Sequence, residues 1–584
     1  MKWNLEELFK NEEELFKEID NIKVSLSKIK KYESIVLDSK SLVALLDTKW
    51  LIKEKVNNVL VYCSLKYYKN VNDLECANLK KTAEELNSET EYTLHFIDEK
   101  ILKLGKEKIT MYMSENSKLN VYSFYLENLF RLESHVESTD VTEKIKNNVN
   151  KINEELNKYN NLLNETKYGK INYGNEQIEI TSSNYGKLIS SKDREIRKLT
   201  YIIANKEFDV NSEVFANILN TIYGYRIENA KLENYDSVLE KVLYEENIDK
   251  RIISILISLV NKNLPEMQKY LSLKAKKLEV TSPHLYDFNV PFVTDLGINY
   301  TLEDAKEIIL NALKPLGIEY LNVVKYLFEG HIDAIPDENK HQSITFSWNT
   351  YSFLNYRGTY RDLKNLIHET GHIVNYYLSK NKVPFIYEDS SVFIGETASL
   401  VNEILLNKYL FETAKTNEEK IFYLSKEIEN YFTTVFKQTM YTELESTLYA
   451  LKEKEPLTKD ILNKEYLDII KKYYGNQIDY TDASITEWTR LGHLYRWSYY
   501  PYKYATGLLI SSLIVDLITT NKLSTDKYIE FLSSGSSNYS LELLKILNID
   551  LTNSLILQNG FNVVTNDINT LIKLSTRNQN IDMI

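Results

Sequence analysis

Residues 361–377 read Arg361-Asp-Leu-Lys-Asn-Leu-Ile-His-Glu-Thr-Gly-His-Ile-Val-Asn-Tyr-Tyr377 and contain the most informative pattern in this chain. It lacks proline, has Asp362 in its first turn, and repeats apolar residues at the spacing of a buried helical face. On such a helix His368 and His372 lie one turn apart, so both rings face the same way. The stretch therefore predicts an amphipathic helix with two imidazoles on one side.

The two imidazoles match half of a tetrahedral zinc site. Their Cβ atoms would be about 5 to 6 Å apart, and each ring nitrogen can bind zinc at about 2.0 to 2.1 Å. Glu369 is turned off the ligand axis toward the open coordination position, which predicts a general base. Gly371 costs about 1 kcal/mol of helix propensity relative to alanine, and so predicts a closely packed neighbour. The alternative is a solvated pair of histidines.

A third ligand is expected, because catalytic zinc usually has three protein ligands and one water. Ser390 and Ser391 can cap a helix that runs to about Tyr409, with Glu396 and Glu403 seven residues apart on one face. We predict Glu396 as the third ligand. We predict Glu403 as the acceptor that orients a ligand histidine through its other ring N–H. The alternative for each is an ordinary solvated acid.

These residues resemble the oligoendopeptidase F branch of the thimet-oligopeptidase-like zinc metallopeptidases. In that family two histidines of H-E-x-G-H and a later glutamate bind zinc, and Phe393–Glu403 is similar to its acidic segment. The resemblance spans nearly the whole chain, through the segments Trp3–Phe9, Leu354–Thr359, Phe436–Glu445 and His493–Gly507.

The last of these segments implies donors to the oxyanion. Peptide hydrolysis builds negative charge on the carbonyl oxygen, and one preorganised donor can contribute about 2.7 to 4 kcal/mol. Relatives use a histidine and one or two tyrosines from this segment, and we predict His493, Tyr500 and Tyr504. The alternative is that these rings pack a core, which is a strong alternative in a chain with 44 tyrosines.

Composition predicts a large, mainly α protein of more than one subdomain. The 584 residues are 43% hydrophobic and include only 16 glycines and 8 prolines, so long helices should dominate. The net charge of −12 argues against a nucleic-acid partner. The chain has only two cysteines, its N-terminus lacks an apolar core, and its most apolar long run (505–520) is too short to span a bilayer. We therefore predict a cytoplasmic protein.

Two domains are predicted along the chain. Residues 1–190 form an N-terminal helical scaffold with a β-hairpin near 171–181, and residues 191–584 form the catalytic domain. Thr301 starts a helix through a capping box. Residues 340–356 predict short strands with one edge open to an extended peptide. The family's edge strand usually reads Gly-Ala-Tyr or Gly-Ala-Phe, from which Gln-Ser-Ile-Thr-Phe at positions 342–346 departs.

Together these observations predict a zinc-dependent endopeptidase that hydrolyses short unstructured peptides. One Zn2+ ion activates a water, with Glu369 as the general base. The resemblance implies a multi-helical, two-lobed, zincin-like fold with a deep channel and a small β-sheet near the zinc. The alternatives are a zinc hydrolase of different specificity and a peptide-binding relative without activity. Neither a nucleic-acid nor a membrane partner is expected.

Overall fold

The computed structural model describes residues 2–133, 135, 139–294, 296–342 and 344–581. Most of these residues are helical, which confirms the mainly α prediction. The helices of the first half are α1 (Glu12–Ile29), α2 (Ser39–Lys69), α3 (Leu74–Leu94), α4 (Phe96–Leu104), α5 (Lys106–Glu115), α6 (Ser123–Glu133), α7 (Thr139–Glu165), α8 (Ser182–Ile189), α9 (Arg194–Val210), α10 (Ser212–Leu232), α11 (Val238–Glu245) and α12 (Arg251–Lys277).

The helices of the second half include the one predicted from the histidine pair. They are α13 (Leu302–Ala312), α14 (Gly317–Phe328), α15 (Tyr360–Lys380), α16 (Val392–Thr413), α17 (Asn417–Tyr431), α18 (Lys437–Lys452), α19 (Lys459–Tyr474), α20 (Gly492–Arg496), α21 (Pro501–Thr519), α22 (Thr525–Leu532), α23 (Ser540–Leu544) and α24 (Ser554–Ile581). Among the described residues, no helix combines the length and the apolarity that crossing a membrane requires.

A two-stranded hairpin lies where the sequence predicts it. Strands β1 (Lys170–Tyr173) and β2 (Glu176–Glu179) pair antiparallel, with Ile171 opposite Ile178. Gly174 in the turn has a φ of +59°, a conformation that glycine adopts without strain. The hairpin near 171–181 is therefore confirmed.

A second, three-stranded sheet lies next to the motif helix. Strands β3 (Ile332–Asp333), β4 (Phe346–Trp348) and β5 (Tyr351–Phe353) have the order β3-β5-β4, so β4 is an outer strand. β5 pairs parallel with β3 and antiparallel with β4. The short strands predicted within 340–356 are confirmed as β4 and β5, whereas Ser343 lies outside the described residues.

The chain divides into two units. The first comprises residues 1–134, 298–406 and 517–548, and the second comprises 135–297, 407–516 and 549–584. In the first unit, apolar side chains from α1 to α6 form one buried core. The domain boundary predicted at residue 190 stays a prediction.

Helix α15 is a central element of the first unit. It packs against α14, α22, β4 and β5. Its apolar face is formed by residues that have no exposed surface: Leu363, Leu366, Ile367, Ile373 and Val374. Burial of one face all along the helix holds the opposite, histidine-bearing face in a fixed direction.

Candidate metal centre

Helix α15 and the part of α16 up to Leu406 belong to the first unit and carry the predicted metal ligands. Both helices begin at side-chain caps. At the start of α15, Thr359 Oγ1 accepts the N–H of Asp362 at 3.2 Å, and the Asp362 carboxylate accepts the N–H of Thr359 at 3.0 Å. At the start of α16, Ser391 Oγ accepts the N–H of Ile394 at 3.4 Å. The predicted cap at Ser391 is therefore confirmed.

Gly371 allows α15 and α16 to approach each other closely. A Cβ atom here would lie 2.6 Å from Ser399 Cα and 2.8 Å from the Ala398 carbonyl oxygen. Both are backbone atoms of α16, so they cannot move aside without moving the helix. Asn402 also joins the helices, because its Nδ2 donates to the carbonyl oxygen of Ile367 at 3.3 Å. The prediction that Gly371 makes room for a neighbouring element is confirmed.

His368, His372 and Glu396 each bring one ligand atom to a common point. These three atoms all lie within 4.8 Å of one another. The two Nε2 atoms are 3.1 Å apart, and Glu396 Oε2 is 3.9 Å from His368 Nε2. Ligand atoms around a tetrahedral ion with bonds of about 2.1 Å would be about 3.4 Å apart. The observed separations lie on either side of that value, so the cluster fits one small divalent cation.

The ring of His368 is oriented by a carboxylate. Glu403 Oε1 accepts a hydrogen bond from His368 Nδ1 at 2.7 Å, which directs Nε2 toward the common point. Lys364 Nζ lies 3.0 Å from the other Glu403 oxygen. Burial alone would raise the pKa of the Glu403 carboxyl, but the Lys364 ammonium and the His368 hydrogen bond outweigh it and lower this pKa to about 2. Glu403 is therefore an ionised acceptor at the position predicted for it.

The ring of His372 is oriented by the backbone. It forms a hydrogen bond with Gly395, next to which its Nδ1 lies. The Nε2 atoms of the two rings face each other at 3.1 Å. A metal ion bound between them would take the place of the proton that His368 otherwise carries. Burial, and then the charge on His368, lower the pKa of His372 to about 3. This ring is therefore neutral, as a metal ligand must be.

The electrostatic environment also fits a cation. Burial would lower the pKa of His368, but the hydrogen bond to Glu403 and the charges of Glu403, Glu369 and Glu396 raise it to about 9. Carboxylates that stabilise a proton on this ring would also stabilise a metal ion at its Nε2. Two imidazoles and one carboxylate are a donor set found in catalytic zinc sites. The donor atoms, their separations and the surrounding charge thus all fit a divalent metal ion.

Glu369 lies beside the ligands and contacts the outer strand of the sheet. Its side chain is 6% exposed. Ser347, in the middle of β4, donates a hydrogen bond to Glu369 Oε2 at 2.5 Å. Burial raises the pKa of the Glu369 carboxyl, which makes the carboxylate a better proton acceptor near neutral pH. The predicted base is thus buried and held by a defined donor.

Two residues of this site were not predicted from the sequence. Lys364 lies one turn before His368 in α15, so helical spacing alone would have placed it on the ligand face. Ser347 reaches Glu369 because β4 packs against α15. No local pattern indicates that contact, since it depends on tertiary packing.

The three predicted oxyanion donors lie together in the second unit. His493 is in α20, Tyr500 directly precedes α21, and Tyr504 is in the first turn of α21. The ring centroid of Tyr504 is 6.1 Å from that of His493 and 5.3 Å from that of Tyr500. Burial, and then the charge of Arg496, lower the pKa of His493, so its ring is neutral at pH 7.

Exposure distinguishes the tyrosines of this segment. Tyr499 and Tyr502 are 3% and 2% exposed, so both rings belong to the core. Tyr500 and Tyr504 are half-buried. Of these four tyrosines, the two predicted from the sequence are thus the ones whose side chains remain partly exposed.

Known proteins match this chain over most of its length. The profile of Peptidase family M3 matches residues 187–563. Oligopeptidase PepF of Bacillus subtilis is 28% identical over 565 residues, which are 94% of this chain and 83% of that protein. The oligoendopeptidase F homolog of Borreliella burgdorferi is 29% identical over 573 residues, which are 96% of each chain.

Solved structures agree with the sequence comparison. A crystal structure from Chlamydophila abortus has a TM-score of 0.92 at 27% identity and covers 98% of both chains. The oligoendopeptidase-F structure from Enterococcus faecium has a TM-score of 0.73 at 24% identity, with 97% of this chain and 99% of that chain covered, and shows the fold. The resemblance read from the motifs is confirmed. The chain belongs to peptidase family M3 and is a metallopeptidase of the oligoendopeptidase F type.

Proposed function

We propose that this protein is a zinc-dependent endopeptidase that hydrolyses short unstructured peptides. The observation that carries the proposal is the cluster of His368, His372 and Glu396, with the buried Glu369 next to it on α15. The names of the relatives, oligopeptidase and oligoendopeptidase, support peptides of limited length as substrates.

The residues of the centre have separate tasks in this reaction. A zinc ion held by His368, His372 and Glu396 would supply Lewis acidity, which lowers the pKa of a water and polarises a peptide carbonyl. Glu369 accepts a proton from the attacking water and passes it to the leaving amine. The Ser347 hydroxyl holds the Glu369 carboxylate, so the base does not have to be ordered at the moment of reaction.

Three donors are assigned to the oxyanion on the basis of the family motif: His493, Tyr500 and Tyr504. The neutral ring of His493 and the partial exposure of both tyrosines support the assignment. Loss of one oxyanion donor typically lowers kcat by about 10² to 10³. Tyr500→Phe and Tyr504→Phe should therefore separate the two hydroxyls by their effect on kcat.

Strand β4 is proposed to receive the peptide. It is an outer strand of its sheet, and its central residue, Ser347, contacts Glu369. A peptide paired with β4 through main-chain hydrogen bonds would run past the general base. Main-chain pairing is independent of sequence, which suits an enzyme that accepts many peptides.

The cytoplasm is the location we propose. Cys63 and Cys76 are buried free thiols. Thiols persist in a reducing compartment, whereas oxidising compartments favour disulfides.

Cleavage of a short internally quenched peptide by Glu369→Gln tests the proposal. The substitution keeps the side-chain shape and removes the proton acceptor, so turnover should fall by roughly 10² to 10⁴ while one zinc ion per chain stays bound. Glu388→Gln is the matched control. Glu388 is as buried as Glu369, at 6% exposure, and it accepts a hydrogen bond at 2.9 Å from Tyr376, which lies in α15 like Glu369. This variant should cleave like the wild type.

Two results would contradict the proposal. Wild-type rates in Glu369→Gln would reject the assigned base. Faster cleavage of casein than of the short peptide would favour the zinc hydrolase of different specificity. The metal is tested separately, since a chelator should abolish cleavage and added zinc should restore it.

A further inference from the structure

A buried acid in the second unit has no task in the function proposed above. Glu445, in α18, has no exposed surface. A carboxyl group in such surroundings is costly unless its oxygens find donors. One does, because Glu445 Oε1 accepts the backbone N–H of Tyr499 at 2.9 Å. For Oε2, the described part of the chain provides no hydrogen-bond partner.

Tyr499 has a backbone conformation that needs such support. Its φ is +50°, in the left-handed region that a tyrosine rarely adopts. The residue lies between α20 and α21, and therefore between His493 on one side and Tyr500 and Tyr504 on the other. The conformation of this one residue sets the direction in which the chain leaves α20 and enters α21.

A cationic side chain holds the beginning of the same segment. Arg226, in α10, donates to the carbonyl oxygen of Tyr495 at 2.6 Å and to that of Leu494 at 3.4 Å. Its charge also acts on Glu445, because it lowers the pKa of the Glu445 carboxyl against the larger effect of burial. Helix α10 thus holds the end of α20, and helix α18 holds the turn that follows.

Aromatic rings from the same two helices hold the side chain of Tyr499. Its ring stacks on Tyr449 of α18, with centroids 5.5 Å apart, and Tyr449 stacks on Tyr223 of α10 at 4.1 Å. The Tyr449 hydroxyl also shares a hydrogen bond with Ser498 at 3.0 Å. Backbone and ring are therefore held together.

We propose that Arg226 and Glu445 form a clamp that positions the segment 493–504 for catalysis. Both are positioning residues, since they act through His493, Tyr500 and Tyr504. The inference rests on the proposed function, because oxyanion donors must be held in one geometry. A displacement of about 1 Å in a catalytic arrangement can lower the rate roughly 100-fold. Loss of the clamp should accordingly lower kcat and leave KM nearly unchanged.

Two substitutions of Glu445 distinguish the loss of its hydrogen-bond acceptor from the effect of replacing a buried side chain. Glu445→Leu removes the acceptor. Glu445→Gln keeps it, and because burial raises the pKa of Glu445 to about 8, glutamine nearly reproduces the protonated acid present at pH 7. We expect Glu445→Leu to lower kcat roughly 10- to 100-fold with KM changed less than about twofold, and Glu445→Gln to recover most of the wild-type kcat.

The same substitution two residues away is the matched control. Glu443 lies in α18 as well, but its carboxylate accepts the Tyr473 hydroxyl at 2.8 Å and pairs with Lys472. Glu443→Leu removes a carboxylate from the same helix without touching the segment 493–504. Its kcat should stay within about twofold of wild type.

Hydrogen exchange provides a readout that does not depend on activity. The Tyr499 amide donates to a buried acceptor, so it should exchange slowly in the wild type and in Glu445→Gln, and quickly in Glu445→Leu. Peptides that cover residues 494–500 report this amide by mass spectrometry. Unchanged exchange in Glu445→Leu, or a kcat within about twofold of wild type, overturns the proposal.

Other outcomes are equally decisive. If Glu445→Leu does not fold, Arg226→Met leaves the acid in place and removes both hydrogen bonds to the end of α20. Its kcat should fall at least about tenfold, and a kcat within about twofold of wild type would overturn the proposal. A wild-type protein that cleaves no peptide refutes the proposed function instead. Faster exchange in Glu445→Leu would then still show the clamp, although without a catalytic role.

Discussion

Replacing Gly371 with alanine should move α15 away from α16 and weaken metal binding. The new Cβ would lie 2.6 Å from Ser399 Cα, about 0.8 Å short of the 3.4 Å at which ordinary contact begins. Since the obstacle is backbone, the helices must shift by a comparable distance. Gly371 adjoins His372, and Ser399 is three residues from Glu396, so the shift separates the ligands. Metal–ligand distances tolerate only about 0.2 Å.

Two effects on stability have opposite signs in this substitution. Glycine to alanine in an unconstrained helix stabilises by about 1 kcal/mol, whereas overpacking a filled interface costs about 1 to 3 kcal/mol. We expect the free energy of unfolding to decrease by up to about 2 kcal/mol. Zinc affinity should decrease roughly 10- to 100-fold, as when groups that orient a ligand are removed.

Urea unfolding and zinc competition with a coloured chelator measure the two quantities. Gly224→Ala is the matched control, because Gly224 is within α10 and an added Cβ would meet Lys452 Cε at an ordinary 3.5 Å. The control should gain about 1 kcal/mol. If Gly371→Ala gains stability as Gly224→Ala does and binds zinc like the wild type, close packing at Gly371 does not position the metal ligands.

Three further predictions concern Ser347, the contacts of Glu403 and the titration of Glu445. Ser347→Ala removes a bond to a charged group, worth about 1.5 to 3 kcal/mol, and should lower kcat at least about tenfold; an unchanged kcat would exclude Ser347 from ordering Glu369. Glu403→Gln should reduce zinc affinity roughly 10- to 100-fold, and Lys364→Met should reduce it less. If Glu403→Gln bound zinc as tightly as the wild type, orientation of the His368 ring by Glu403 would not contribute to metal binding. The pKa of Glu445 is raised from 4.5 to about 8, so its neutral form stabilises the fold below pH 4.5 and this contribution is lost as pH rises through 8. Relative to Glu445→Gln, the free energy of unfolding of the wild type, measured with urea, should therefore fall by up to about 1.4 kcal/mol per pH unit between pH 5 and 8. The same pH dependence of unfolding free energy in both proteins would contradict this.

Much of the metal centre could be predicted because helical geometry is local. Within α15, a spacing of four residues places His368 and His372 on one face regardless of tertiary structure. Side-chain caps are local as well, and Thr301 and Ser391 cap their helices as predicted. The position of Glu396 relative to the histidines depends on how two helices pack. The sequence carried one direct signal of that packing, the glycine at position 371.

The contacts that could not be predicted join residues far apart in the chain. Ser347 and Glu369 meet because a strand packs against a helix, and their sequence separation carries no periodic signal. Glu445 and Tyr499 are 54 residues apart, and a tyrosine gives no warning of a positive φ. Propensity favours glycine or asparagine in that conformation, so tertiary contacts must hold Tyr499 there.

Lys364, Glu403 and His368 form a row in which the carboxylate lies between an ammonium group and a ring N–H, and this explains why a buried carboxylate can remain ionised beside a metal site. Glu403 faces the Lys364 ammonium on one side and the His368 ring N–H on the other, and so its pKa stays low although burial would raise it. An ionised acceptor fixes His368 Nδ1 as the donor and Nε2 as the ligand atom. Since Glu403 is in α16 and both partners are in α15, the row exists only at the interhelical distance that Gly371 permits. Ligand position and ligand protonation therefore depend on the same packing contact.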